Sequence, residues 1–137
     1  MSGEWFRVNV RVRYCECDPM GVAHHASYVP WMEIGRTEIL RATGRSYASM
    51  EEQDILFVIV KMDVRYRKPV KYDDLVEIRT RRCGGGRVKI EHEYEIAVVE
   101  RAGVSCDEVA AIGSTTLGCI GRDGKPRVLP DELIVID

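Results

Sequence analysis

Long apolar runs are missing from this sequence. No stretch approaches the ~18 consecutive apolar residues of a membrane-spanning helix, so that class is excluded. The opening, Met1-Ser2-Gly3-Glu4-Trp5-Phe6-Arg7, lacks the basic and then apolar stretches of a secretion signal, and a cytoplasmic protein is expected. A basic surplus is missing too. Lys and Arg total 20 against 22 Asp and Glu, a net charge of −2, which argues against a nucleic-acid partner. The five cysteines, Cys15, Cys17, Cys83, Cys106 and Cys119, are odd in number, and Cys15-x-Cys17 is not a ribbon-type metal spacing. Reduced thiols and no metal are therefore expected. A disordered or fibrous chain is excluded by 45% apolar and 31% charged residues.

What is present reads as one domain over residues 1–137, large enough to bury a core without disulfides. Phe6, Val8, Val10, Val12 and Tyr14 alternate with polar residues, the period of a half-buried strand. Asp18, Pro19 and Gly21 mark a loop from Cys15 to Ala26. A helix is predicted from about Ser27 to Thr43. Tyr28, Trp31, Met32, Gly35, Ile39 and Ala42 form one stripe, Pro30 suits a first turn, and Gly44 suits a stop. Gly35 inside that stripe predicts close approach of the helix to a sheet.

Residues 46–53 form a short polar connection with room for one helical turn, and strands follow. Residues 55–67 form a long one, with Val58, Val60, Met62, Val64 and Tyr66 on one face. A second spans residues 75–83, and Gly84-Gly85-Gly86 predicts a bulged hairpin. Val88, Ile90, His92, Tyr94, Ile96 and Val98 face one way in the next, and a last strand spans residues 108–120. Strand, helix, then four strands is an α+β order, with an antiparallel sheet wrapped around one central helix.

The densest polar cluster precedes that helix. It supplies the Asp18 carboxylate, the His24 and His25 imidazoles and a helix opening within a dozen residues. The first N–H groups of a helix lack internal partners and carry partial positive charge, so they can polarise a carbonyl or hold an oxyanion. Asp18 upstream can serve as base or nucleophile. By spacing alone, Asp18 reads equally as a turn or cap residue, and the two histidines as ordinary loop residues.

The run Asp18-Pro19-Met20-Gly21-Val22-Ala23-His24-His25-Ala26-Ser27-Tyr28 resembles the Asp-x-x-Gly-x-Val-x-x-x-x-Tyr signature of hotdog-fold acyl-CoA thioesterases, with Ala23 in place of Val. It is similar to the 4-hydroxybenzoyl-CoA thioesterase family and its Tol-Pal-associated branch. Trp31 to Arg41, Val60 to Tyr66 and Tyr72 to Ile78 resemble that branch's helix and strands, so the likeness covers about residues 5 to 125.

This resemblance implies a hotdog fold, hydrolysis of an acyl-CoA thioester, and no cofactor, CoA being part of the substrate. It implies a homodimer joined edge to edge, often doubled to a tetramer, with the pocket between protomers. It assigns catalysis to Asp18, with the His25 backbone N–H polarising the carbonyl and with Tyr14 and the His25 side chain as companions. CoA phosphates need cations or backbone donors. Arg65, Arg67, Arg87 and Lys89, with Gly85 letting the backbone approach, are the candidates; Lys68, Arg81 and Arg82 are further cations nearby in sequence. A non-catalytic acyl-CoA-binding protein and a hotdog hydratase or dehydratase are the alternatives.

Overall fold

The computed structural model describes residues 4–134. Strand β1 (Phe6–Arg11) leads through a loop to helix α1 (Tyr28–Arg41) and a short helix α2 (Tyr47–Glu52). Four strands follow: β2 (Leu56–Tyr66), β3 (Leu75–Gly85), β4 (Lys89–Arg101) and β5 (Val104–Ile120). They form one antiparallel five-stranded sheet in the order β1-β3-β4-β5-β2, which leaves β1 and β2 as its edges. The α+β hotdog arrangement is thus present, with α1 packed across β3 and β1. Among the described residues, no helix is long and apolar enough to cross a membrane.

The helix stripe explains the packing. Trp31 and Met32 are wholly buried and Tyr28 nearly so, against Val76 and Ile78 of β3 and Tyr94, Ile96 and Val98 of β4. Each such side chain contributes roughly 2–3 kcal/mol by burial. Gly35 lies where α1 meets β3. An added Cβ would collide with the Thr80 hydroxyl and come within 3.1 Å of Ile78 Cγ2, so the predicted close approach is real. Gly44, just past the helix, takes the left-handed φ of +89°.

Three expectations are corrected. β1 ends at Arg11, because its partner strand begins at Leu75 and Arg11 pairs with Leu75. Val12 then turns into the core, and Tyr14–Glu16 form a 3-10 turn that leaves Tyr14 82% exposed. β5 begins at Val104 rather than Glu108. Ala102 and Gly103, both with positive φ, make a two-residue hairpin turn that pairs Arg101 with Val104. The predicted apolar face of β2 divides: Met62 and Val64 pack against the core, whereas Val58, Val60 and Tyr66 are exposed, as is Ile59 between them. A register shift between Ile59 and Lys61 also breaks its alternation at Val60.

Candidate active site

The loop between β1 and α1 is a small zipped hairpin. The Asp18 N–H donates to the Val22 carbonyl at 2.9 Å, Cys17 bridges Ala23, and the His24 N–H donates to the Glu16 carbonyl at 2.8 Å. Gly21, with a φ of +80°, closes the turn, and its N–H donates to the Asp18 carbonyl. The far side of the loop is tied to residues 70–72: Ala23 N–H donates to the Val70 carbonyl and Tyr72 N–H to the Gly21 carbonyl. Asp18 is thereby held in register two positions from His24, roughly 7 Å along the ladder.

The half-buried Asp18 carboxylate accepts the Met20 N–H at 2.8 Å and the Val22 N–H at 3.4 Å. No hydrogen bond joins it to Tyr14 among the described residues. The Tyr14 ring instead packs edge-on to Tyr72, centroids 5.7 Å apart. Tyr14 thus reaches solvent beside the loop and is not brought to Asp18 within this chain.

A 3-10 turn, His25–Ser27, opens α1. His24 caps it, its Nδ1 accepting the Ala26 N–H at 3.1 Å and its carbonyl accepting the Ser27 N–H at 2.9 Å. The N–H of His25 has no acceptor among the described residues. The opening therefore presents one free donor in the field of a 14-residue helix. The His25 ring stacks, tilted, on that of His24, centroids 4.1 Å apart.

An open cleft of about 340 Å³ lies at this opening, lined by His25, Ala23, Tyr28, Tyr66, Arg67 and Lys68 among others, but not by Asp18. The Tyr66 hydroxyl donates to the His25 carbonyl at 3.1 Å, and its ring meets Tyr28 edge-on at 4.9 Å. Burial pushes the Tyr28 phenol up to about 12, so it stays protonated.

The predicted phosphate ligands divide. Arg67 lines the cleft, whereas Arg65 is exposed and pairs weakly with Asp63 at 3.8 Å. Arg87, Lys89 and Gly85 sit at the β3–β4 hairpin. That is the opposite end of β3 from Leu75, an 11-residue strand of roughly 35 Å. This chain does not bring them to Asp18. Gly85, with a φ of +141°, turns onto its own hairpin: an added Cβ would stand 2.5 Å from the Lys89 carbonyl oxygen. The hairpin is bulged, as predicted, between Arg82 and Gly84.

Two residues that sequence reasoning missed hold this site. The Glu16 carboxylate is buried beneath the loop, accepting the Trp31 Nε1–H at 2.9 Å and the Arg13 N–H at 2.7 Å. Tyr66 steadies the opening from β2. The only signal for Glu16 was its place between two cysteines in an otherwise turn-rich segment, which carries no information about burial.

Residues 20–102 match the thioesterase superfamily. The chain belongs to that superfamily. The thioesterase is 33% identical over 134 residues to the acyl-CoA thioester hydrolase YbgC of Escherichia coli, covering 98% of this chain and 96% of that one. It is 38% identical over 71 residues to a putative acyl-CoA thioesterase, YneP, of Bacillus subtilis, which is 52% of this chain and about half (51%) of that protein. Its fold superposes on a DHNA-CoA thioesterase from Staphylococcus aureus with a TM-score of 0.82 at 34% identity, covering 91% of this chain and 80% of that one. The 4-hydroxybenzoyl-CoA thioesterase of a Pseudomonas strain shares the fold alone, with a TM-score of 0.81 at 16% identity, 94% of each chain being covered.

Proposed function

We propose that this acyl-CoA thioesterase works through Asp18 and the free amide of His25, with the thioester lodged between them. The observation that carries the reading is the zipped loop. It holds a carboxylate two register positions from His24, and the next residue, His25, opens the helix with an N–H that lacks an acceptor. The thioester carbonyl oxygen accepts the His25 N–H, which stabilises the negative charge that develops as the carbonyl carbon becomes tetrahedral. Removing a comparable donor in other enzymes lowers the rate by ~10²–10³.

Asp18 then acts in one of two ways. As a base it takes a proton from the water that attacks the carbonyl, and the CoA thiolate leaves. As a nucleophile it attacks the carbonyl itself, the thiolate leaves, and water hydrolyses the resulting mixed anhydride. The His25 imidazole orients the water, and Tyr14 approaches the carboxylate once its exposed ring is covered. Oxygen-18 incorporation into Asp18 during a single turnover in labelled water separates the two routes.

The working unit is a homodimer, two of which pair into a tetramer. Its support is the open β2 edge, eleven residues long and carrying exposed Val58, Ile59 and Val60. A long, apolar, unpaired edge strand is a template for another strand. Antiparallel pairing of β2 with its copy carries the Leu56 end of one chain to the Tyr66 end of the other. Gly118 pairs with both Val58 and Lys89, so the hairpin lies at the Leu56 end. The copy's Arg87 and Lys89 then join Arg67 and Lys68 around the CoA phosphates. The sequence signature, with Tyr14 and His25 flanking Asp18 along the chain, supports the Tol-Pal-associated branch. Five unpaired cysteines support a cytoplasmic setting.

The test is a thiol-release assay with acetyl-, octanoyl-, palmitoyl- and benzoyl-CoA, run on wild type and Asp18→Asn. Asparagine keeps an oxygen to accept the Met20 amide, so the loop stays folded while turnover falls more than ~10²-fold. Retention of more than a tenth of the wild-type rate would overturn the assignment.

A further inference from the structure

A second cavity system lies along α1, away from the His25 cleft. Its outer part, about 320 Å³, is open and bounded by Glu33, Thr37, Tyr47, Phe57 and Leu117. Its inner part, about 60 Å³, is lined by Arg36, Arg82 and His92 among apolar Leu40, Ile90 and Leu133. The two share Arg36, Tyr47 and Phe57 as walls, and the Tyr47 and Phe57 rings meet edge-on with centroids 5.6 Å apart. This aromatic pair stands between the chambers.

The inner chamber is chemically unbalanced. Arg36 is 7% and His92 3% exposed, yet Arg36 Nη1 and His92 Nδ1 are buried without any hydrogen-bond partner. A buried charge is normally paired and a buried polar atom normally bonded. The nearest carboxylate to Arg36 is that of solvent-facing Glu33, 3.7 Å from Nη2, beyond hydrogen-bond length. Arg82 donates to the Leu133 and Gly84 carbonyls at 2.6 and 3.4 Å and meets no carboxylate among the described residues. Two guanidinium groups and an imidazole thus face a small apolar chamber that no acidic side chain lines. The buried imidazole is neutral at physiological pH and can present its one N–H on Nδ1. Arg36 also stands beside the Tyr47 and Tyr94 hydroxyls, so what the set still lacks is an acceptor for Arg36 Nη1 and His92 Nδ1.

The chamber lies farther along α1 than the helix opening. His25, Val29, Glu33 and Thr37 follow one another at intervals of four along the same face of α1, ending at the outer cavity. Arg36 is eleven positions beyond His25, roughly 16 Å of helix rise, and helical side chains lean back toward the N-terminus.

We propose that Arg36, Arg82 and His92 form a carboxylate-binding chamber that receives the far end of a dicarboxylic acyl group. The inference rests on the thioesterase reading and adds the class of acyl group. The carboxylate gives Arg36 Nη1 and His92 Nδ1 their missing partner, and Tyr47 and Phe57 part to admit the chain. A free carboxylic acid offers the same chemistry, so the test compares both sources.

Turnover is measured with adipyl-, suberyl- and sebacoyl-CoA against hexanoyl-, octanoyl- and decanoyl-CoA, for wild type, Arg36→Met and His92→Gln. Wild type is expected to favour the carboxyl-terminated member of at least one length pair by about tenfold in kcat/KM, the scale of a charge-assisted hydrogen bond. Arg36→Met brings that ratio close to one. A wild-type ratio at or below one for every pair, or a ratio unmoved by Arg36→Met, would overturn the proposal and leave the chamber as a pocket for ordered water. Calorimetric binding of the same pairs to Asp18→Asn needs no turnover, so it tests the chamber even where the hydrolytic reading fails. Equal affinities there also overturn it. Free suberate separates the sources: stabilisation of wild type, but not of His92→Gln, by suberate together with a ratio of one shows a free-acid site and overturns the acyl assignment.

Discussion

The indole of Trp31 donates to the carboxylate of Glu16 at 2.9 Å, in the core beneath the loop that carries Asp18. One bond thereby ties the Asp18 loop to the first turn of the central helix. The Glu16 carbonyl adds to it, accepting the Ser27 hydroxyl at 2.8 Å and the His24 N–H. Loop and helix opening are consequently joined by three hydrogen bonds at Glu16.

Glu16→Gln leaves one amide oxygen where two carboxylate oxygens accept three bonds, from the Trp31 indole, the Arg13 N–H and the Arg13 guanidinium. It is expected to destabilise the fold by about 1–3 kcal/mol and to lower kcat about tenfold more than it raises KM. Urea denaturation and steady-state kinetics check the two effects. Stability loss with kcat unchanged would remove Glu16 from any positioning role.

Gly35→Ala forces a methyl group onto the Thr80 hydroxyl. The expected loss is about 1–3 kcal/mol, read as a lowered denaturation midpoint. The double variant Gly35→Ala with Thr80→Ser keeps most of that loss, because the hydroxyl oxygen remains.

Tyr66→Phe deletes the bond to the His25 carbonyl at 3.1 Å without emptying the ring's place against Tyr28. A net loss of about 1 kcal/mol is expected, appearing in kcat/KM for every acyl-CoA alike, because the bond holds the helix opening rather than the acyl chain.

Arg67→Glu reverses the charge of a cation that lines the cleft with His25. It should raise KM for octanoyl-CoA about tenfold, the scale of a lost charge-assisted hydrogen bond, and much less for the N-acetylcysteamine thioester, which has no phosphates. Arg87→Glu is expected to follow it if the copy's hairpin reaches the same cleft. Equal effects on both thioesters would remove the phosphate role.

His92 makes stability depend on pH. Burial holds its imidazole down to about 3, against about 6.5 in an unfolded chain. Between those values the unfolded chain binds the extra proton and the folded one does not. The contribution is complete above about pH 6.5 and drains away as pH falls toward 3. Wild type should therefore lose more of its denaturation midpoint between pH 7.5 and 4.5 than His92→Gln does, by buffered thermal melts.

Much of this protein is written in local pattern. The β4 alternation from Ile90 to Val98 is buried on the expected face, and the α1 stripe places Trp31, Met32 and Gly35 against the sheet. Those residues are legible because period-two and period-3.6 burial need only neighbours a few positions away. The loop from Asp18 to the helix opening is legible for the same reason, its turn formers and its cap lying within a dozen residues.

Other features depend on contacts between distant segments, and no local pattern records them. Glu16 is buried because Trp31, fifteen residues on, supplies an N–H inside the core. Arg87 and Lys89 stand at the far end of the sheet from Asp18 because strand pairing, not sequence distance, sets their place. Arg36 and His92, 56 positions apart in the chain, share a chamber only once α1 lies across the curled sheet. Local chemistry determines which residues turn inward; the closing of helix onto sheet decides which of those inward residues meet.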